Sequence, residues 1–243
     1  MTKMNKIKFE NGSIEIKNQT EEKADMYFYG NIVSEEWGRC SDEDQCPQNV
    51  KKMLDEVKDV KNLDIYINSG GGSVFAGIAI YNMLKRNKAH KKVYVDGLAG
   101  SIASVIAMAG DEIIIPTNAY LMIHKASTFA YGNADDMLKM ATTLETIEEG
   151  ILNVYETKLK NGVKIEEIKQ MLDEETWMTG KMAAEYFDIE VGEELKAVAS
   201  VSDLKNYSKV PENLIMKEEP KIQEATKNNV DSFFHIRKKL LNI

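Results

Sequence analysis

Histidine and cysteine are scarce in this chain of 243 residues, with three and two respectively, and its 31 Lys and Arg are outnumbered by 39 Asp and Glu for a formal net charge of −8. The negative balance leaves no basic stripe of the kind a phosphate backbone requires, which argues against nucleic acid as a partner. Cys40 and Cys46 share the acidic stretch Cys40–Pro47. Two thiols do not make a zinc site, and in a reducing compartment they read as free loop thiols, so no metal is expected. No run is long and apolar enough to span a bilayer, and Met1–Lys8 lacks the apolar centre of a signal peptide. The expectation is a cytoplasmic protein without a membrane partner. No Walker motif or other ATPase signature occurs, and no cofactor is expected.

What is present is 43% hydrophobic residues, enough for one sizeable core. Lys92–Asp96 alternates as a strand does, and the small-residue run Gly97–Gly110 follows it, with Ile102–Ala109 reading as a short buried helix. Ser101 therefore falls at a helix N-terminus, where unpaired N–H groups and the helix dipole favour developing negative charge. A second strand, Leu63–Asn68, ends in Ser69-Gly70-Gly71-Gly72-Ser73, after which Val74, Ile78, Tyr81 and Leu84 mark a helix face. This loop lacks the Lys-Ser/Thr ending of a P-loop and the Gly-x-Gly-x-x-Gly spacing. An oxyanion hole built from the Gly72 and Ile102 amides fits the pattern better than a nucleotide site.

Of the three histidines, His90 lies in a solvated basic loop and His235 in a polar tail. His124 closes the apolar strand Ala119–Ile123 and is the candidate base for Ser101. A third group should orient it, and Asp173, Glu174 and Glu175 stand immediately before Trp177. Spacing alone does not choose among these carboxylates.

Four segments in order, Ile67-Asn68-Ser69-x-Gly71-Gly72-Ser73-Val74, Gly77 with Ala79-Ile80-Tyr81, Ala99-x-Ser101-x-Ala103, and Met122-Ile123-His124, resemble the Clp protease proteolytic subunit (ClpP). The wording is most similar to its phage relatives, the ClpP-like head-maturation (prohead) proteases. The resemblance implies an α/β fold, the ClpP/crotonase-like spiral of ββα units with a protruding handle helix. It divides the chain into an N-terminal segment 1–24, a serine protease domain 25–195, and a polar linker with a C-terminal amphipathic segment, 196–243. It makes Ser101 the nucleophile, His124 the general base, Glu175 the acid and the Gly72 and Ile102 amides the oxyanion hole, and it assigns Gly71, Ser73 and Lys125 to substrate binding. The chain departs from the family at Glu175, where an aspartate is usual, and at Gly70, where a proline usually stiffens the loop.

By the same resemblance the chain assembles as a homo-oligomeric ring, single or stacked in two, that takes protein or peptide substrates. The long apolar pattern from Met137 to Leu159 corresponds to the handle helix and Tyr131–Ala134 to its companion strand. A head-maturation protease would act on capsid and scaffold precursors, whereas a Clp-type subunit would need a separate AAA+ unfoldase. A crotonase-like acyl-CoA enzyme and a catalytically decayed assembly protein are the other readings. Around Val230–Leu241 an amphipathic helix is expected, packed on the body or docked to a capsid or scaffold partner.

Overall fold

Alternating side chains build the central sheet. In the computed structural model, which describes residues 16–17, 20, 22–38, 41–194 and 207–211, strands β1 (Ile16–Lys17), β2 (Lys23–Tyr29), β3 (Asn62–Ser69) and β4 (His90–Gly100) lie side by side. β2, β3 and β4 run parallel, with Met26 beside Ile65 and Ile65 beside Val93. Every second residue, including Met26, Phe28, Leu63, Ile65, Ile67, Val93 and Val95, is buried in one core. On the opposite face Tyr27, Tyr66 and Tyr94 stack, with ring centroids 4.7 and 5.1 Å apart.

Helices α1 (Pro47–Glu56), α2 (Val74–Arg86) and α3 (Ile102–Ala107) contribute the apolar side chains that meet this core. On α1 an apolar stripe is buried through Val50, Met53 and Leu54, and Pro47 starts the helix where its missing N–H costs nothing. Cys46, at the N-cap position, is a free thiol but a buried one rather than the exposed loop thiol expected; Cys40 lies outside the described residues. The loop ahead of it is ordered by Asp44, whose carboxylate accepts the N–H groups of Asn31 and Ser41.

β4 is longer than the sequence suggests because Gly97–Gly100 continue the strand. Its first half pairs with β5 (Glu112–Pro116) and its last residues, Leu98–Gly100, with β6 (Tyr120–Ile123). This hand-over turns the sheet: β5 continues to β8 (Glu190–Gly192), whereas β6 turns off and pairs antiparallel with β7 (Thr176–Thr179). The α/β class expected from the resemblance is the one observed.

α4 (Ala134–Glu156) is the expected long helix, and at 1.5 Å per residue it reaches about 35 Å. Its C-terminal half is the anchored part, through Glu148, Ile151, Val154 and Tyr155. Upstream, Met137 and Leu138 are exposed, so the apolar pattern here does not mark the core of this chain. Tyr131–Ala134 is not a strand: Asn133 caps α4 in a reciprocal capping box with Asp136. After α5 (Ile165–Asp173) and β7, Thr179 caps α6 (Gly180–Tyr186), which buries Ala183 and is followed by the buried Phe187 but leaves Met182 exposed. No helix among the described residues is long and apolar enough to cross a membrane.

Chain contacts divide into two units at Val210/Pro211, and Pro211 is the one described residue of the second. Expectations for 1–15, for 195–206 and for the amphipathic segment beyond Pro211 lie outside the described residues.

Candidate active site

Strand ends bring the candidate residues together. β4 leads directly into Ser101, whose N–H donates to the Met122 carbonyl at the end of β6 (2.9 Å). Ser101 has φ +52° and ψ −128°, a conformation that β-carbon sterics disfavour for any residue but glycine. Such a sharp turn from strand into helix lifts the side chain clear of the sheet. Two residues past Met122, His124 approaches from β6, and its Nε2 lies 2.8 Å from the Ser101 Oγ. With Nε2 accepting from the hydroxyl, Nδ1 carries the proton. Burial holds the His124 imidazole below its usual pKa, opposed by the nearby Glu175 charge, so the ring is a neutral base at neutral pH.

A buried relay fixes the elbow from behind. Tyr155 of α4 meets the Ser104 hydroxyl at 2.7 Å, and Ser104 donates to the Ser101 carbonyl at 2.5 Å. Burial pushes the Tyr155 phenol well above its ordinary pKa, so it remains protonated and donates. The relay links α4 to the backbone of Ser101.

The glycine loop lies against the same point. Gly71 (φ +99°) and Gly72 (φ +141°) both lie in the region that only glycine enters freely. A Cβ at Gly71 would stand 2.7 Å from the Ser101 Cβ and the Gly100 oxygen and 3.1 Å from the Ile102 nitrogen. The niche beside Ser101 and the first amide of α3 is thus open because residue 71 has no side chain. Sequence reasoning expected a loose loop without proline, but the loop is stapled. Ile32 N–H donates to the Gly71 carbonyl (2.8 Å), Ser73 N–H to the Ile32 carbonyl (2.7 Å), and Gly71 N–H to the Ser69 hydroxyl (3.1 Å). The Gly72 and Ile102 amides are left without a backbone acceptor among the described residues, which suits them to an oxyanion.

Register narrows the choice of acid. β6 and β7 pair antiparallel with Met122 opposite Trp177 and Ile123 opposite Thr176, where the ladder ends; Glu175, with φ +51°, turns out of it, and its charge still acts on the His124 ring. Asp173 instead pairs with Lys125 (2.6 Å), and the Glu174 carboxylate accepts from Gln170 (2.9 Å). Lys125 also reaches Glu148 (3.7 Å), so it ties the segment after His124 to α4 and α5. The Ser73 hydroxyl lies 2.9 Å from that of Ser34. These two side chains, expected at the substrate, have partners within the chain.

Among the described residues Glu175 makes no hydrogen bond to the His124 ring. Its carboxylate accepts the backbone amides of Lys209 (2.7 Å) and Ser208 (3.0 Å), with the Trp177 indole at 3.5 Å. Burial alone would raise its pKa, but these donors outweigh it and hold the carboxyl below the ordinary glutamate range. Tyr207, which sequence reasoning placed in a polar linker, donates its hydroxyl to the Gly70 carbonyl. Its ring stands edge-on to those of His124 (5.4 Å) and Trp177 (5.8 Å). Nothing in the sequence around Tyr207 marked it. Ile32, Ser104 and Tyr155 were equally unmarked.

A strained serine at a strand-to-helix turn, hydrogen-bonded to a partly buried histidine beside free amides, defines the geometry of a serine hydrolase. A family model described as Clp protease matches residues 41–189, and the chain belongs to that family. Similar curated proteins are named ATP-dependent Clp protease proteolytic subunit. That of Bacteroides fragilis is 31% identical over 136 residues, covering 55% of this chain and 64% of the relative. That of Deinococcus radiodurans is 33% identical over 106 residues, covering 42% and 52%, and that of Porphyromonas gingivalis 29% over 136 residues, covering 55% and 60%. The chain thus spans between about half and two thirds of the length of these relatives.

Proposed function

We propose that this chain is a serine endopeptidase of the Clp proteolytic-subunit type. The observation that carries the reading is the 2.8 Å contact between the Ser101 hydroxyl and His124 Nε2, made on a strained elbow beside the open glycine niche. Ser101 Oγ attacks the carbonyl carbon of a peptide bond while His124 takes its proton. The carbonyl oxygen, now an oxyanion, turns to the Gly72 and Ile102 amides, each donor contributing about 3 kcal/mol to lowering the barrier. His124 then protonates the leaving amine as the C–N bond breaks, and water, deprotonated by the same imidazole, releases the acyl group from Ser101. Glu175 is the acid that holds the imidazole and balances its charge.

Self-assembly into a ring, single or stacked, belongs to the same proposal. Phe129 (92% exposed), Tyr131 (96%) and Leu138 (68%) cluster in sequence where α4 leaves the body, and apolar exposure on that scale favours a protein interface over free solvent. The similar curated proteins carry "ATP-dependent" in their names, which favours an unfoldase partner that supplies the substrate. The motif wording favours a head-maturation protease acting on capsid and scaffold precursors, and the reading that leads is this second one, in the cytoplasm. Cleavage of such precursors by the purified chain alone would support it, whereas cleavage only with an added unfoldase and ATP would replace it.

The test of the chemistry is the intact mass after prolonged exposure to a fluorophosphonate, beside Ser101→Ala. One adduct on the native chain that vanishes in the variant is expected. An adduct that persists in Ser101→Ala, or none on the native chain or any variant that frees the site, overturns the reading.

A further inference from the structure

The acid of the site is engaged, but not by the histidine. Glu175 accepts two backbone amides from consecutive residues, Ser208 and Lys209, and the ammonium of Lys209 reaches back to the Glu174 carbonyl. One residue earlier, the Tyr207 hydroxyl is bonded to the carbonyl of Gly70, in the loop that frames the oxyanion niche. The Tyr207 ring fills the space between, half-buried against His124 and Trp177. Three successive residues thus touch the glycine loop, the base and the acid.

We propose that Tyr207–Lys209 is an autoinhibitory strap, a segment of the chain's own backbone that occupies the catalytic cleft and withholds Glu175 from His124. This inference rests on the serine-protease reading above. Two N–H groups converging on one carboxylate satisfy it as fully as an imidazole N–H would, so Glu175 gains little by turning to His124 while the strap is seated. The strap also covers one face of the imidazole and binds the glycine-loop carbonyl next to the niche, so a peptide must displace it to reach Ser101. Displacement frees the carboxylate, which directly precedes the strand paired with the one that His124 follows, and the triad closes. The strap leaves the Ser101–His124 contact intact, which makes the closed state poised rather than dismantled.

The contacts separate into side-chain and backbone parts, and the test uses both in the full-length protein. Tyr207→Phe removes the hydroxyl bond to Gly70 and keeps the ring; Tyr207→Ala removes both. Lys209→Pro removes the N–H that donates to Glu175, which no side-chain change can do. The readout is the rate of fluorophosphonate labelling at Ser101, compared at equal oligomer size. A strap held by a few net-favourable hydrogen bonds yields about fivefold faster labelling for each bond lost, and about tenfold or more for Tyr207→Ala and Lys209→Pro. Equal labelling across the series overturns the strap and leaves the protease reading standing. Slower labelling in Lys209→Pro and Tyr207→Phe also overturns it, because the segment would then support the acid rather than withhold it. No labelling in the native chain or in any variant removes the protease reading and the strap with it.

Discussion

Gly71→Ala tests the oxyanion niche most directly, because the structure supplies its own control. A methyl at residue 71 would stand 2.7 Å from the Gly100 oxygen, 2.7 Å from the Ser101 Cβ and 3.1 Å from the Ile102 nitrogen. All three are backbone atoms or the first side-chain carbon, so none can rotate away, and relief requires the loop and the elbow to part. Gly162 has nearly the same backbone angle, φ +95° against +99°, but nothing lies within 4 Å of its would-be Cβ. Gly162→Ala therefore carries only the conformational cost of a side chain in the left-handed region, about 1–2 kcal/mol. Gly71→Ala adds the overlap, about 1–3 kcal/mol more. Its effect on chemistry should be larger than on stability: a methyl in the niche displaces the oxyanion from its donors, and loss of one donor lowers kcat about 10²–10³-fold. Thermal unfolding at fixed protein concentration and the rate of fluorophosphonate labelling separate the two effects. The expected result is a moderate destabilisation in both variants and a collapse of labelling in Gly71→Ala alone. Labelling of Gly71→Ala at the rate of Gly162→Ala would refute the placement of the niche.

The acid is tested by comparing three neighbours: Glu175→Gln should lower kcat for peptide hydrolysis about 10²–10⁴-fold, whereas Asp173→Asn should cost at most about 1 kcal/mol of stability through its exposed pair with Lys125. An equal or larger loss of kcat in Asp173→Asn or Glu174→Gln would move the role. Because burial depresses the His124 pKa, labelling should fall as pH drops through a midpoint below 6.5 and stay level above it, and the limb should move further down in Glu175→Gln, which lacks the opposing charge. A limb above 6.5 contradicts this environment. The same depression means that the folded state binds fewer protons than the unfolded chain, so the histidine's contribution to stability is lost as pH falls from about 6.5 toward its folded value. Ser104→Ala should cost about 1–3 kcal/mol by leaving the Tyr155 phenol unpaired in the core, and Tyr155→Phe added to it should cost less than the sum of the single changes. Additive costs in denaturant unfolding would mean that the relay is not coupled.

How far the site could be read without coordinates follows from which groups carry it. Where side chains do the work the sequence speaks: the alternation of β3 and the first half of β4, the glycine run whose Gly71 and Gly72 take positive φ, and a histidine ending an apolar strand. Alternation ends the strand at Asp96 because Gly97–Gly100 lack the alternation of large and polar side chains, although small residues suit a strand packed tightly on a glycine loop. Here a Cβ at Gly100 would come 3.3 Å from the Gly70 oxygen, and the strand prevails. The acid could not be chosen by spacing among three consecutive carboxylates. What narrows the choice is a pairing between segments about fifty residues apart: β6–β7 ends with Ile123 opposite Thr176, and of the three carboxylates Asp173 is engaged by Lys125 and Glu174 by Gln170. The least legible parts are made of main chain. Ile32 staples the glycine loop through its N–H and C=O, and Ser208 and Lys209 hold Glu175 through theirs. Since every residue but proline carries the same pair of groups, no composition or motif announces such a contact. For this reason Ser208→Ala, which loses only the hydroxyl that also acts on Glu175, should loosen the strap less than proline there, which removes the backbone donor as Lys209→Pro does.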